Sequence, residues 1–332
     1  MNAPDKITIR LPRRIKTIAG FTLIEMMISI TIGLLVVAAL TGVLVSNSQS
    51  SKTNERTSEL QSNGRYALDQ LKRELRHAGY HGYTPVAPES AGWTTPTITN
   101  ECGVAGSFAK NFRQRVWGSN DSNGDSTDNP FTGNCISGAS SPKTYRQGDM
   151  LVIRRAAGAP TLTADADANT IYLRSSYSSI NMLQGSALPA AVITGTENFA
   201  LQVYVYYIGS SDNNSAIPAL RRIALDGNAM VDEMMVSGIE QMQFEYGITN
   251  TDGTTQYFTA NNISGSHSAT GATDWDKVSS VRIWLLARNT LAENGYSNTN
   301  TYTLSNRLYG PVNDSFRRQV FTSVVQLRNF RN

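Results

Sequence analysis

Histidine, cysteine and charge are scarce in this chain. Of 332 residues only His77, His81 and His267 are histidine, and only Cys102 and Cys135 are cysteine. No zinc-ligand spacing can be assembled from that set. The sequence also lacks a G-x-S-x-G elbow, a P-loop, a G-x-G-x-x-G turn and an H-E-x-x-H pair, which removes the common hydrolase, nucleotide-binding and metalloprotease classes. Its acids are scattered over strands and loops without an identifiable partner, so no enzyme is expected. His77 and His81, four apart at a helix end, suit capping or surface roles better than metal binding. Charged residues make up 17% and mean hydropathy is -0.28, the balance of an ordered polar protein.

Positive charge is missing from most of the chain. The net +3 is concentrated in the first 20 residues, where Lys6, Arg10, Arg13, Arg14 and Lys16 face only Asp5. Without them 24 basic side chains (29 less 5) meet 25 acidic ones (26 less 1), a net of −1. A nucleic-acid footprint spread over the body is therefore not indicated.

What the chain does have is one long apolar run. Phe21 to Val45 is 25 positions with a single charge, Glu25. As a helix this run reaches roughly 38 Å, enough to cross a hydrocarbon core of about 30 Å. The basic cluster precedes it and the next charge, Lys52, follows it, so the positive-inside rule keeps the N-terminus cytoplasmic and exports the body. A cleaved secretory signal has a shorter apolar region and no acid within it. Glu25 itself costs about 2.5–3.5 kcal/mol in an apolar layer. Either it snorkels to the interface or it has a partner and a purpose.

The order of residues around Glu25 is specific. A basic leader, then Gly20-Phe21-Thr22-Leu23-Ile24-Glu25, then the apolar run, resembles the class III signal of type IV prepilins and of the related secretion pseudopilins. The resemblance implies that a prepilin peptidase cuts between Gly20 and Phe21 and methylates the new Phe21 amine. It also implies that Glu25 serves assembly, pairing in the filament core with the Phe21 amine of a neighbouring subunit. Each charge would be costly alone in that core and tolerable together.

No proline occurs between Pro12 and Pro85, which predicts one helix from the anchor to about His77. Leu60, Gly64, Ala67/Leu68, Leu71, Leu75 and Ala78 form an apolar stripe with helical spacing. Lys72, Arg73, Glu74 and Arg76 are expected on the other side, and Gly79, Gly82 and Pro85 to end the helix. The segment from Arg65 to Tyr80 and the ending from Val320 to Asn329 resemble the PilW family of minor pilins and pilus-assembly proteins. That resemblance implies a low-copy subunit of a tip or priming complex.

Beyond the helix the period changes to two. Leu201 to Tyr207, Met242 to Tyr246 and Val281 to Arg288 alternate as half-buried antiparallel strands. Met150–Arg155, Ile171–Arg174 and Arg318–Arg328 are further candidates. The expected fold is α+β and pilin-like: a long N-terminal helix, anchor plus amphipathic half, packed on an antiparallel sheet with long loops. The expected division is a cleaved leader 1–20, a membrane and filament-core helix 21–45, its amphipathic continuation 46–80, and an exported β-rich body 81–332 with long loops at 85–145 and 248–277. Tyr204, Tyr206, Tyr207, Trp275 and Trp284 sit at strand spacing and read as sheet surface or core.

Two loop features bear on ligands. If the body is exported, Cys102 and Cys135 read as a disulfide rather than two free thiols. Closing about 34 residues would contribute roughly 3–4 kcal/mol by chain entropy. Asp121, Asn123, Asp125 and Asp128 place oxygens at alternating positions, as a calcium loop does. Yet Gly124 stands at the fourth place rather than the sixth, and Thr132 replaces the closing glutamate. A solvated Asx and Gly turn is the alternative. Asp165, Asp167 and Asn169 repeat the alternation more weakly. No other cofactor is expected.

The resulting expectation is a minor type IV pilin that initiates or caps pilus assembly, with twitching, adhesion or DNA uptake as its outputs. Its partners would be the prepilin peptidase, other minor pilins and the major pilin. It would sit in the inner membrane with its body in the periplasm, and then in the pilus. A minor pseudopilin of type II secretion shares the leader, Glu25 and the helix-on-sheet plan. A tip adhesin or DNA-contacting module would use the 85–145 loop, and nucleic acid enters only through that role.

Overall fold

The structure, a computed structural model, describes residues 20–84, 96–103, 108–121, 124, 126–131, 135–136, 144–191, 193–250, 252–267, 269 and 271–329. The leader before Gly20, Pro85, and Asn123 and Asp125 of the calcium candidate lie outside these. The chain forms two compact units, one up to Asn54 and one from Glu55 onward.

The first unit is the N-terminal part of helix α1 (Leu23–His77). Thr22 starts the helix: its carbonyl accepts from Met26 N–H at 3.1 Å and its hydroxyl from Glu25 N–H at 3.3 Å, which satisfies donors that the first turn leaves free. From Leu23 to Val45 the large apolar side chains are exposed on every side. Burial cannot be what shapes this part of the chain in isolation; its surface needs an apolar surrounding.

The second unit opens with the rest of α1. Leu60, Gly64, Ala67, Leu71 and Leu75 are buried along one face, as the stripe predicts, each large one stabilising by roughly 1.5–3 kcal/mol. Gly64 is required by proximity, since a Cβ there would run into the Phe321 ring. The helix ends at Gly79, which takes φ +74° while its N–H donates to Arg154 O at 2.9 Å, an αL stop. A His77 ring nitrogen lies 2.9 Å from Arg73 O, so this histidine caps the last turn. Glu74 corrects the sequence reading: it is buried, not on the solvent side.

Among the described residues thirteen strands follow: β1 (Val116–Gly118), β2 (Leu151–Ala156), β3 (Ile171–Ser176), β4 (Ile180–Gln184), β5 (Thr196–Ser210), β6 (Pro218–Asp226), β7 (Ala229–Ser237), β8 (Ile239–Thr249), β9 (Thr255–Phe258), β10 (Val278–Arg288), β11 (Tyr302–Leu304), β12 (Arg307–Tyr309) and β13 (Arg318–Gln326). They make a seven-stranded sheet in the order β1-β2-β5-β3-β4, with β6 on β5 and β7 on β6, and a four-stranded sheet in the order β13-β10-β8-β9. All named strand pairs are antiparallel. The fold class is therefore α+β. Gly238, with φ +82°, turns the chain from β7 in one sheet to β8 in the other, and a Cβ there would lie 2.7 Å from Arg288 O.

The strands expected from period-two patterning are present, but two are not half-exposed. β5 buries Tyr204 and Tyr206 as well as Val203 and Val205, and β8 buries Gln241 and Gln243 beside Met242 and Phe244. Arginine stems cover the first: Arg155 and Arg222 lie 5.6 and 4.6 Å from the Tyr204 ring. Over β8, the side chain of Gln241 packs against Gly148, and the β11–β12 hairpin brings the Ser305 hydroxyl to Glu245 at 2.7 Å. The stretch 248–277 is likewise not one long loop. It carries β9, paired to β8 from Tyr246 to Thr249, and a turn capped by Thr273 and Asp276 that buries Trp275.

Candidate functional site

Between Leu23 and Val45 polar side chains are few, and the backbone takes up their hydroxyls. The Ser29 hydroxyl donates to Glu25 O at 2.7 Å, Thr31 to Ile28 O at 2.8 Å and Thr41 to Val37 O at 2.5 Å. Such back-bonding satisfies hydroxyls inside an apolar environment. The Glu25 carboxylate meets no partner among the described residues, and it is exposed. Gly20 and Phe21 precede the first helical turn and are exposed as well. The helix thus presents one unsatisfied carboxylate near the start of an otherwise apolar surface.

In the second unit Cys102 and Cys135 form a disulfide with Cα atoms 4.6 Å apart. The same unit holds an aromatic cluster in which Phe108, Trp117 and Phe131 surround His267 at ring separations of 5.0–5.9 Å. Arg154, wholly buried on β2, holds this region together. Its guanidinium donates to Phe108 O at 2.8 Å, Gln114 O at 2.7 Å and His267 O at 3.1 Å. Sequence reasoning passed over Arg154 because it occupies an ordinary strand position. Its neighbour Arg155 pairs with Glu74 at 2.7 Å, which fixes helix to sheet.

His81 is buried against the edge of Phe112. Burial, and then the Arg115 charge, pull its pKa down to about 4. It is a neutral core histidine, and His77 and His81 do not form a metal pair.

The calcium candidate is spoken for in part. Asp121 accepts from Gly148 N–H at 2.6 Å and from Gly124 N–H, and pairs with Arg307 at 3.3 Å. Its own N–H donates to Asp149 at 2.9 Å, and the other Asp149 oxygen accepts from Phe244 N–H at 2.7 Å. Burial pushes the Asp149 carboxyl well up. The two acids thus bind the 119–121 and 147–149 turns to β8. Asp128 sits in a short 3-10 turn. Among the described residues no group of three or more His, Cys, Asp or Glu could hold a metal ion. Asp167, of the second acidic run, closes its own turn by accepting from Asn169 N–H and Thr170 N–H at 2.8 and 3.1 Å.

A third polar centre was not foreseen either. A β-bulge between Leu286 and Ala287 lets Glu240 stand out of register, turning its carboxylate to Arg288 at 3.4 Å and to Arg318, which also holds Asp314 at 2.6 Å. Bulges re-aim side chains in this way. Next to it Gly238, at φ +82°, accepts from Arg288 N–H at 2.7 Å.

The described residues thus hold an apolar helix, long enough to cross a membrane, with one carboxylate near its start, and an α+β body that bears a disulfide. Residues 205–329 match the family model of Type IV Pilus-assembly protein W, and residues 15–41 match the prokaryotic N-terminal methylation motif. The first match includes the ending 320–329; the 65–80 segment lies outside both. No curated protein matches. Among solved structures, a type IV-like pilin of Thermus thermophilus is 15% identical, over 84% of this chain and 97% of that one, at a TM-score of 0.34. Over these two segments the chain resembles a pilus-assembly protein and a prokaryotic methylation motif.

Proposed function

We propose that this chain is a minor type IV pilin of the PilW kind. A prepilin peptidase cuts it between Gly20 and Phe21 and methylates Phe21. Before assembly the helix holds it in the inner membrane with the body in the periplasm. It then enters the pilus with other minor pilins and the major pilin, where it initiates or caps the fibre. One observation carries this reading: α1 is apolar on all sides from Leu23 to Val45, with its hydroxyls satisfied and Glu25 left over. Once a filament core buries that carboxylate it requires a cation, and the Phe21 amine freed by cleavage supplies one on a neighbouring subunit.

The test is a clean deletion complemented by wild type or Glu25→Ala, scored for sheared surface pili and for secreted proteins. Lost pili with normal secretion, restored by wild type and not by Glu25→Ala, is the expected result. Normal pili with lost secreted proteins would assign the chain to the type II secretion pseudopilins instead.

A further inference from the structure

An asparagine followed by glycine is chemically labile, because no Cβ hinders the glycine nitrogen from attacking the asparagine side chain. Whether it does so in a folded chain depends on how firmly the peptide between them is held. The sequence has three such pairs, Asn63-Gly64, Asn123-Gly124 and Asn294-Gly295. Two of the attacking nitrogens are committed. Gly64 is buried inside α1, where its N–H belongs to the helix ladder, and the Asn63 amide donates to Ser237 O at 3.2 Å. Gly124 N–H donates to the Asp121 carboxylate.

Gly295 differs. It takes the third place of a turn closed by Tyr296 N–H donating to Glu293 O at 3.2 Å. Its φ of +79°, which Asn294 does not share, makes the turn type II. Asn294 and Gly295 are both exposed, and among the described residues the Gly295 N–H has no hydrogen-bond partner. The ends of the turn are pinned. Arg56 Nη1 donates to Ala292 O at 2.9 Å, and Glu293 N–H to Ser315 O at 2.8 Å. The Glu293 carboxylate holds Arg317 at 2.6 and 3.0 Å, and Arg317 covers the Tyr296 ring at 4.2 Å. The peptide unit between Asn294 and Gly295 is the one whose orientation separates a type II from a type I turn. It can therefore rotate without breaking any of these bonds, and that rotation brings the Gly295 nitrogen to the Asn294 side chain.

We propose that Asn294 is a site of spontaneous deamidation in the folded chain, a reaction from which the fold shields Asn63. The Gly295 nitrogen gives its proton to solvent and bonds to Asn294 Cγ, and the side-chain nitrogen leaves as ammonia. Water then opens the five-membered imide at one of its two carbonyls. Opening at Cγ leaves aspartate. Opening at the main-chain carbonyl leaves isoaspartate, with the backbone routed through the side chain. The sum is an amide and water giving an acid and ammonia, with no change of oxidation state. Either product sets a new negative charge beside Glu293, the partner of Arg317. Isoaspartate also lengthens the turn that ties this stretch to Ser315, just before β13.

The test incubates detergent-solubilised full-length protein, disulfide intact, in warm, mildly alkaline buffer, beside the same protein unfolded in urea. Samples taken over days are digested, and the peptides holding Asn63 and Asn294 are scored by mass spectrometry for amide-to-acid conversion and for isoaspartate. In the folded protein Asn294 should convert at least tenfold faster than Asn63, with isoaspartate among its products. In urea the two should convert at similar rates, which shows that the fold and not the dipeptide makes the difference. Asn294→Gln, which cannot close the five-membered ring, should keep its amide in both conditions. An Asn294 that stays an amide in the folded protein while the urea sample converts would overturn the proposal. So would equal conversion of Asn63 and Asn294 in the folded protein, or conversion of the glutamine variant at the wild-type rate.

Discussion

Replacing Glu74 by alanine tests whether the helix is held to the sheet by a buried charge. The carboxylate and Arg155 keep only 7% and 12% of their side-chain surface, and they meet at 2.7 Å. A surface pair at this position, which the sequence pattern suggests, would be worth about 0–1 kcal/mol. A buried one behaves differently, because removing one partner strands the other charge in low dielectric at about 3–5 kcal/mol. Arg155 keeps one bond, from Nη1 to Ala156 O at 3.2 Å, and its place over Tyr204. The lower half of that range, about 3–4 kcal/mol, is therefore expected. For a body of this size that lowers Tm by about 6–8 °C, at roughly 2 °C per kcal/mol. The assay is thermal unfolding of detergent-solubilised full-length protein followed by near-ultraviolet circular dichroism. Glu74→Leu with Arg155→Met should recover most of the loss, since an apolar pair leaves no charge stranded. A drop of less than 2 °C in Glu74→Ala, or a double variant worse than the single, would refute the reasoning.

Two further outcomes follow from single groups. With a native pKa near 4 against about 6.5 when unfolded, His81 binds fewer protons folded than unfolded. Its contribution is complete above pH 6.5 and is lost as pH falls towards 4, up to about 3 kcal/mol. Urea midpoints of wild type and His81→Phe should diverge with pH across that window; a constant difference would show that His81 does not titrate there. Cys102→Ser with Cys135→Ser should cost roughly 3–4 kcal/mol by chain entropy, read as a lower urea midpoint. Reduction of wild type should reproduce that shift, and equal midpoints before and after reduction would count against it.

Legibility from sequence followed the range of the interaction. The end of α1 was readable because Gly79 and the stripe from Leu60 to Ala78 are local signals. So were the strands that bury one clean set of alternating residues, such as β10. The β6–β7 hairpin was not recognised, because Arg221 and Arg222 stand side by side and break the alternation. Its turn signal, Asp226-Gly227-Asn228, was nonetheless present, with Gly227 at φ +58°. Arg221 is buried because Asp232 on β7 and Asp212 at 2.7 Å compensate its charge, and no local pattern shows that. Glu74 was misplaced for the same reason.

The sequence by itself determined the apolar segment: a run from Phe21 to Val45, a basic flank and one acid need no tertiary contacts to be read, because hydropathy and length are properties of the segment alone. It also determined the pairing of Cys102 with Cys135, since two cysteines allow one intramolecular bridge. Only the tertiary structure decided that Asp121 turns inward to Gly148 and Arg307, that Glu74 meets Arg155 across 81 positions, and that β13 ends its sheet among the described residues. Each depends on which distant segment arrives beside it. The free energy of a buried charge, or of an unpaired edge, is set by that neighbour and not by the residues on either side in the chain.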